Sequence, residues 1–531
     1  MSRSTLTALT PDGKRHIDVD LADADLSLAD LLRQRGLPLN TRCGGRGLCD
    51  GCAVDLVEGT LQVGSHVARA PVSSIRGCAA RLIGDAVVRL PQRVLLSYAP
   101  SVQDDFVVRI SAGHDPLCEA PLGVAIDVGT TTVALALVDL KTGSIVARAS
   151  GFNAQMHTAD DVVTRITLCM NNPAMLLRLR AAIVGETIVP LLHSAITAAN
   201  ASVTDIGAIA IAGNTTMLHI LAGVDPSPLA VAPFTPAFLE HRVLTGESVL
   251  GDTFAHATIH LLPGASAYIG ADIVAGLTVT GMHYEPGICM LVDVGTNGEI
   301  VLKHRDRLIG CATAAGPAFE GARLASGMRA GRGAITSVRI DASHHVVDWI
   351  GREDRVQPAG LCGSAYIDFL AEARRVELLS PTGRFEPSDC LSTITGPRDF
   401  RVARGQGGRD IVITECDIAS LLTAKAAIAA GIGTLLEVAG CDAGEIEHLF
   451  LAGGFGSRMN AANAIAIGML PDFRSNQVIS VGNTSLAGTV FGLLDRSLLR
   501  EMSSLATRVQ PIELNHVPSF EDRFTDSLRL P

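Results

Sequence analysis

The sequence predicts a small α+β domain followed by a larger α/β unit that is duplicated. Two observations lead to this prediction. A glycine-rich loop near the start carries three cysteines, and a buried strand ending in Asp-x-Gly-Thr occurs twice later in the chain. We therefore expect one domain at residues 1–92, a linker at 93–121 and a two-lobed domain at 122–531, with lobes of about 122–285 and 286–531.

Short alternating segments predict a β-rich fold for the first domain. His16–Asp20 and Ala86–Leu90 alternate apolar and polar residues, as half-buried strands do. Ala53–Val57 has the same pattern, and we expect it to end in a turn at the next two residues. Between these strands, Ser27 opens a capping-box pattern, which predicts a short helix that Gly36 ends.

Four cysteines in this domain have the spacing of an iron–sulfur site. Cys43 and Cys49 are separated by five residues and Cys49 and Cys52 by two, while Cys78 follows at a distance. A tight three-cysteine loop with one distant cysteine is typical of a [2Fe–2S] cluster. The alternatives are a zinc site or buried free thiols. Zinc ribbons usually pair one Cys-x-x-Cys with a second, which Cys78 does not supply.

Composition and charge narrow the class of protein. The net charge of −11 disfavours nucleic acid as a partner. The other eight cysteines are scattered without ligand spacing, which indicates reduced thiols in a reducing compartment. The N-terminus has no apolar signal-like region, and we find no apolar run long enough to span a bilayer. We therefore expect a cytoplasmic protein with neither nucleic acid nor membrane as a partner.

The second domain contains a motif that occurs twice. Gly123–Thr132 and Met290–Gly298 are each a buried strand that runs into a Gly/Thr turn and then a second strand, which predicts two hairpins. Later in each half, Ile206–Thr216 and Ile446–Gly456 resemble one another as a strand that ends in an Ala-Gly turn. This pattern implies an internal duplication, and a ligand in such a pair of lobes should lie in the cleft between them.

The residue types at these turns suit a nucleotide. Asp127 and Asp293 end their strands with carboxylates, which suit Mg²⁺ or its waters. Glu299 is a catalytic candidate for positioning the attacking water, as is Glu320. The candidates for binding the phosphates and adenosine are Gly129, Thr130, Thr131, Thr132, Gly295, Thr296, Asn297, Gly453, Gly454 and Phe455.

The two hairpins and the later Ala-Gly-Gly turn resemble the ATPases of the actin, sugar kinase and Hsp70 superfamily, whose duplicated lobes are RNase H-like. Four further segments resemble sequence blocks of the reductive activators of corrinoid proteins: Gly316–Gly321, Ser326–Ala330, Gly360–Ser364 and Gly482–Gly488. That family joins an N-terminal β-grasp [2Fe–2S] ferredoxin domain to such an actin-like ATPase domain. The five-residue cysteine gap is closer to adrenodoxin-like than to plant-type ferredoxins.

The resemblance implies a function. We expect an ATP-dependent redox activator with a [2Fe–2S] cluster, ATP and Mg²⁺ as cofactors. It would pass an electron to the Co(II) corrinoid of a methyltransferase partner and restore Co(I). The electron would come from an external donor, and the chain is a possible homodimer. The ATPase region begins at Leu122, so we also expect this chain to lack a small domain that other members carry before the ATPase.

Two other functions stay open. One is a small-molecule kinase of the same superfamily, with the ferredoxin domain as a redox sensor. The other is a nucleotide-gated electron carrier for a radical or dehydratase enzyme. Activators of that type hold a [4Fe–4S] cluster through cysteines of the ATPase, and the scattered cysteines here give no such pattern. Of the remaining side chains, His219 is expected to be packed, and Arg323, Arg329 and Arg332 either reach phosphates or a partner's acidic surface, or form a solvated face.

Overall fold

The computed structural model has three large hydrophobic cores among its described residues, one in the N-terminal domain and one in each of two α/β lobes. The structure describes residues 4–10, 13–20, 23, 25–37, 39, 52–91, 94–95, 106, 113–321, 323–341, 344–386, 394–396, 398–405, 408–456, 458–474 and 477–531. The linker sequence also predicts a short strand at Phe106–Ile110, and all of it except Phe106 lies outside these residues.

The described part of the N-terminal domain forms a six-stranded sheet with one α-helix. Its elements are β1 (Ser4–Thr10), β2 (Gly13–Val19), α1 (Leu28–Gln34), β3 (Ala53–Val63), β4 (His66–Arg69), β5 (Val72–Arg76) and β6 (Ala80–Arg89). The strand order is β2-β1-β6-β3-β4, with β5 beside β3, and β1 and β6 run parallel. Ser27 caps α1 as predicted, since its hydroxyl accepts from the Asp30 amide at 3.1 Å.

The prediction of a turn after Val57 is wrong. Strand β3 continues through Gly59 to Val63, and its register with β6 shifts on either side of that glycine. Gly59 has a φ of +87°, and a Cβ there would lie 2.1 Å from the Asp85 carbonyl oxygen. A glycine that resembles a turn signal is thus a bulge inside a long strand.

The first lobe is built on a six-stranded sheet. Its elements are β7 (Leu122–Val128), β8 (Thr132–Asp139), β9 (Ile145–Phe152), α2 (Val162–Asn171), α3 (Ala174–Ile183), α4 (Val189–Ala198), β10 (Ile206–Gly213), α5 (Thr215–Ala222), β11 (Arg242–Thr245), α6 (Gly246–Leu250), β12 (Thr258–Leu261) and α7 (Ala271–Thr280). The strand order is β11-β12-β10-β7-β8-β9.

The second lobe repeats this plan with additions. Its elements are β13 (Ile288–Val294), β14 (Gly298–His304), β15 (Arg307–Thr313), β16 (Ala334–Ile340), β17 (His345–Trp349), β18 (Gly360–Leu361), α8 (Gly363–Arg375), β19 (Ile394–Gly396), β20 (Asp399–Arg404), β21 (Asp410–Thr414), α9 (Glu415–Ala439), β22 (Ile446–Ala452), α10 (Gly453–Gly456), α11 (Ala461–Ala466), β23 (Val478–Gly482), α12 (Thr484–Leu494), α13 (Arg496–Arg508), β24 (Val509–Pro511) and α14 (Phe520–Asp526). The main sheet has the order β23-β22-β13-β14-β15-β24.

The two main sheets confirm the duplication at the level of strand register. In each, a three-stranded antiparallel meander is followed by two parallel strands on the side of its first strand. Asp127 pairs with Ala212 on the neighbouring parallel strand, and Asp293 pairs in the same way with Ala452. Each aspartate therefore lies at the end of its strand, directly beside an Ala-Gly turn.

The lobes are not continuous along the chain. Helices α12 and α13 follow the strands of the second lobe, yet their apolar side chains belong to the core of the first. Helix α12 packs on α7, β7 and β10. This differs from the expected lobe boundary near residue 285, and it brings the start of α12 to the site.

One helix is long and apolar enough to cross a membrane, judged by length and composition. Helix α9 has 25 residues and a mean hydropathy of 1.6 over its most apolar window, so the expectation of no such run is wrong. About 72% of that window is buried, and α9 packs on β14, β15 and α14. It is the central helix of the second lobe.

Candidate functional site

A cleft between the two lobes gathers every predicted nucleotide-site residue. Its lining includes Asp127, Gly129, Thr130, Thr131, Thr132, Asp293, Gly295, Thr296, Asn297, Glu299, Gly453, Gly454 and Phe455. Glu320 and Arg329, which the sequence also offered as candidates, line it too, and so do Asn214, Asp272, Asn483 and Ser485. The predicted residues therefore share one cavity, while their individual roles stay predictions.

Tight turns hold the backbone of the two Asp-x-Gly-Thr loops. The Gly129 amide donates to the Thr132 carbonyl at 3.0 Å, and the Gly295 amide donates to the Asn297 carbonyl at 2.9 Å. A Cβ on Gly129 would lie 2.5 Å from the Thr132 oxygen, so only glycine fits there. Gly453 has a φ of +87°, and a Cβ at this residue would approach an Asp293 carboxylate oxygen equally closely.

Asp127 is held by two side chains from the start of α12. Asn483 donates to its Oδ2 at 2.9 Å, and the Ser485 hydroxyl donates to its Oδ1 at 2.7 Å. Burial raises the pKa of Asp127, and these two hydrogen bonds oppose that shift. The carboxylate is thus fixed in orientation, because each oxygen has its own donor.

Three more carboxylates crowd the same end of the cleft. Burial, reinforced by neighbouring carboxylates, raises the pKa of Asp293 to about 7 and that of Asp272 to about 8. The pKa of Glu299 is raised for the same reasons. Asp293 and Glu299 are direct partners across the β13–β14 hairpin. Such a group of buried carboxylates lowers its repulsion by binding a cation.

The donor set fits Mg²⁺. Among the described residues, no three His, Cys, Asp or Glu side chains converge as a finished ligand shell. Mg²⁺ does not require one, since it keeps several waters and is usually held by one or two carboxylates and by substrate phosphates. The carboxylates of Asp127, Asp272, Asp293 and Glu299 supply oxygen atoms there, and oxygen atoms are the ligands that Mg²⁺ prefers.

Hydroxyl groups link the two loops across the cleft. The Thr131 and Thr296 oxygens lie 3.4 Å apart, and the Thr296 hydroxyl donates to Glu320 Oε1 at 2.5 Å. On the first lobe, the Asn214 amide donates to the Thr130 hydroxyl at 3.0 Å. The loops therefore contact each other directly through side chains of the type that bind phosphate.

A buried arginine supports the first loop from behind. Arg165 is fully buried and donates to the Thr130 carbonyl at 2.6 Å, to Gln155 Oε1 at 2.7 Å and to the Ala159 carbonyl at 3.1 Å. Burial lowers the pKa of Arg165 to about 9. Asn153 adds two further bonds, from its backbone and its side chain, to the backbone carbonyls of the same loop.

Aromatic rings form the other end of the cleft. Phe455 stacks on Phe319 with ring centroids 5.3 Å apart and planes 10° apart. Gly363, at the start of α8, lies against both residues, and a Cβ there would clash with the Phe319 carbonyl oxygen and the Phe455 ring. This flat, apolar surface is of the kind that a nucleobase packs on.

The cysteine site is described in part. Cys43 and Cys49 lie outside the described residues. Cys52 and Cys78 lie side by side, because β3 and β5 pair immediately next to them and the Gly77 amide donates to the Cys52 carbonyl at 3.0 Å. A hydrogen bond from Cys78 lowers the pKa of the buried Cys52 thiol to about 6, against the effect of burial. A low thiol pKa favours the thiolate that metals bind.

The remaining candidates have structural partners. The ring nitrogens of His219 lie 2.7 Å from the Thr215 carbonyl and 3.0 Å from the Ala237 amide, and its ring stacks on Phe238. It is a packed histidine, as expected. Arg329 lines the cleft, whereas Arg323 pairs with Asp160 and Asp161, and Arg332 pairs with Asp354.

The sequence did not single out Asp272 or Arg165. Asp272 is in the first turn of α7, where an acidic residue is common at any helix start. The only local feature that points to Asp272 is Gly270, two residues earlier, whose backbone packs closely on Asn214. Arg165 is in the middle of an amphipathic helix, and only the tertiary fold shows that it is buried.

Comparison with known proteins agrees with this architecture. A family model described as the C-terminal domain of RACo, the ASKHA domain, matches residues 287–531, and a model described as the RACo middle region matches 122–285. The solved structure titled "Reductive activator for corrinoid,iron-sulfur protein" is similar, with a TM-score of 0.72 and 27% identity over 99% of this chain and 98% of that one. The expectation that a small domain before the ATPase is missing from this chain stays a prediction.

Two curated proteins are also similar along most of their length. The corrinoid activation enzyme RamQ of Eubacterium limosum is 31% identical over 420 residues, which cover 76% of this chain and 70% of RamQ. The [Co(II) methylated amine-specific corrinoid protein] reductase of Methanosarcina barkeri is 24% identical over 73% of this chain and 72% of its own length. With the duplicated fold and the ASKHA domain, these matches assign the family. The chain belongs to the reductive activators of corrinoid proteins.

Proposed function

We propose that this chain is an ATP-dependent reductive activator that returns the Co(II) corrinoid of a methyltransferase partner to Co(I). The observation that carries the proposal is that one chain combines a cysteine pair in its N-terminal domain with a carboxylate-lined cleft between two ASKHA-type lobes. Two curated relatives are named for activating or reducing corrinoid proteins, which supports a corrinoid protein as the partner.

The N-terminal domain would hold a [2Fe–2S] cluster. Cys52 and Cys78 are adjacent although 25 residues separate them, and the lowered pKa of Cys52 suits a thiolate ligand. Cys43 and Cys49 would complete the set, in a β-grasp ferredoxin domain. When bound, the cluster supplies a single low-potential electron for the partner's cobalt.

The cleft would bind ATP with Mg²⁺. Asp127 and Asp293 end equivalent strands, and the turns after them offer hydroxyl and backbone donors to phosphate oxygens. The stacked Phe319 and Phe455 rings would receive the base. Mg²⁺, held by the buried carboxylates or its own waters, would neutralise phosphate charge. Glu299, Asp272 and Glu320 are the remaining carboxylates from which the group that positions water would come.

ATP would serve to make an unfavourable transfer productive. Plant-type [2Fe–2S] centres have potentials near −400 mV, and Co(I) requires a lower one. A gap of about 200 mV corresponds to roughly 5 kcal/mol, since 59 mV is a factor of ten for one electron. To supply this, ATP has to bind one conformation of the complex better than another. The cleft between the lobes is the natural element with two states.

The electron would come from an external donor, because no recognisable flavin or nicotinamide motif occurs in the sequence. The test is to mix the protein, a reductase or chemical reductant, and a corrinoid protein, and to follow the absorbance change from Co(II) to Co(I). ATP-dependent formation of Co(I) supports the proposal. A phosphorylated small molecule that accumulates whatever the redox state of the chain would instead favour the kinase alternative.

A further inference from the structure

The two Asp-x-Gly-Thr loops have different chemistry, although the sequence presents them as repeats. Opposite Asp293 on its hairpin is Glu299, whereas the residue opposite Asp127 is Ala134. The second hairpin therefore carries two carboxylates with a raised pKa, Asp293 and Glu299, and the first hairpin carries one, Asp127. The second loop also has a carboxylate partner for its threonine hydroxyl, Glu320.

The hydroxyl of Thr296 has one hydrogen, and a hydrogen bond already uses it. It is donated to Glu320 Oε1 at 2.5 Å, and a carboxylate accepts but does not donate. Thr296 can then act toward anything else only as an acceptor. In its 3.4 Å contact with Thr131, the donor must therefore be Thr131. A phosphate oxygen that displaces this long contact can take the hydrogen of Thr131, whereas Thr296 has no hydrogen to give while Glu320 accepts it.

Glu320 is held in place from the opposite side. Arg329 Nη2 lies 3.5 Å from Glu320 Oε2, and the Arg329 guanidinium lies over the Phe152 ring of the first lobe, 5.4 Å from its centroid. Both charged side chains are largely buried, since Glu320 is 15% exposed and Arg329 is 10% exposed. The carboxylate therefore has little freedom to turn away from Thr296.

We propose that Glu320 is a positioning residue that makes Thr296 an acceptor. The lone pairs of Thr296 would then be left for Mg²⁺ or its bound waters, while Thr131 in the first loop would supply the donor to phosphate. This deepens the proposed function and rests on it. It assigns different roles to the two loops, and it agrees with the pairing of Asp293 and Glu299 on the second hairpin.

The test is to measure ATP affinity by calorimetry with Mg²⁺ and again with EDTA. For Glu320→Ala, we expect the dissociation constant of MgATP to rise about tenfold, the order of one hydrogen bond to a charged group. Without metal, affinity should be unchanged or tighter, because the partner of Arg329 is gone. Thr131→Val is the matched control, and it should weaken binding equally in both conditions. Melting temperatures report whether each variant is folded.

If Glu320→Ala does not fold, Thr296→Val removes the same hydrogen bond from its other end and should show the same selective loss. Equal weakening of ATP binding with and without Mg²⁺, or no change in either, would overturn the role of Glu320. A wild-type chain that binds no ATP in either condition would overturn the proposed function itself, and this inference with it.

Discussion

Thr131 and Thr296, which belong to the two halves of an internal duplication, face each other across the cleft with hydroxyl oxygens 3.4 Å apart. They are the point at which the first and second loops touch. A ligand that enters between the loops must replace this contact or bridge it. Binding at the cleft is therefore coupled to the relative position of the lobes.

Asp127→Asn should impair nucleotide binding and leave the iron–sulfur site intact. The substitution removes a charge and turns one acceptor oxygen into a donor that faces the donors Asn483 and Ser485. We expect MgATP affinity to fall by about tenfold or more. Calorimetry measures the affinity, and the visible absorbance of the cluster should match that of wild type. Unchanged ATP affinity would contradict the assignment of Asp127.

Cys52→Ser should remove the iron–sulfur site and leave nucleotide binding intact. The variant lacks a thiolate that lies beside Cys78, so we expect iron and sulfide content to fall from about two per chain toward zero. ATP affinity should remain at the wild-type value, because the cysteine site belongs to a separate core. Iron analysis and calorimetry on one preparation test both statements. A Cys52→Ser chain with full iron content would show that the cluster lies elsewhere.

The metal-free protein should lose stability as the pH rises. Asp293 and Asp272 have pKa values of about 7 and about 8 when folded, far above their unfolded values near 4. The folded chain therefore binds more protons than the unfolded chain between these limits. Its extra stability is fully present below about pH 4 and is lost as the pH rises through about 8. Melting temperatures in EDTA should fall from pH 7 to pH 9.

Asp272→Asn is the control for this pH effect. It removes one titrating group from the cluster, so the decline in melting temperature with pH should be shallower than in wild type. Mg²⁺ added to wild type should raise the melting temperature most at the alkaline end, where the carboxylates are ionised. A metal-free melting temperature that rises between pH 7 and pH 9 would contradict the crowded, buried carboxylates.

Arg165→Met should destabilise the first lobe. It removes the buried donor of the Thr130 and Ala159 carbonyls and the shorter of two hydrogen bonds to Gln155 Oε1, at a cost of about 3 kcal/mol. Urea unfolding followed by circular dichroism measures the loss. The matched control is Arg323→Ala, whose side chain is 57% exposed in its ion pairs and should contribute less than about 1 kcal/mol. Equal losses in the two variants would count against the buried role of Arg165.

Much of the architecture could be predicted from the sequence because local patterns specify it. The Asp-x-Gly-Thr turns, the strands before them and the Ala-Gly turns are local, and all lie where the duplication places them. The predicted cleft residues come together because equivalent strand ends meet at one edge of each sheet.

What could not be predicted depends on contacts between distant parts of the chain. Asn483 and Ser485 reach Asp127 because α12 returns to the first lobe, which no local pattern indicates. In the sequence, Asp272 resembles an ordinary acidic residue at a helix start. Only the folded structure shows that the carboxylates of Asp127 and Asp293, from the two hairpins, lie near it. Gly59 resembles a turn because glycine serves both turns and bulges, and only pairing with β6 distinguishes them.

The most direct test of the central claim is the rate of Co(I) formation in a corrinoid partner protein, followed by absorbance, with and without ATP. We predict rapid reduction by the wild-type chain only when ATP is present. Neither Cys52→Ser nor Asp127→Asn should support this reduction. Cys52→Ser lacks the cluster that carries the electron, and Asp127→Asn binds ATP poorly. Reduction at the same rate without ATP, or full reduction by Cys52→Ser, would contradict the account.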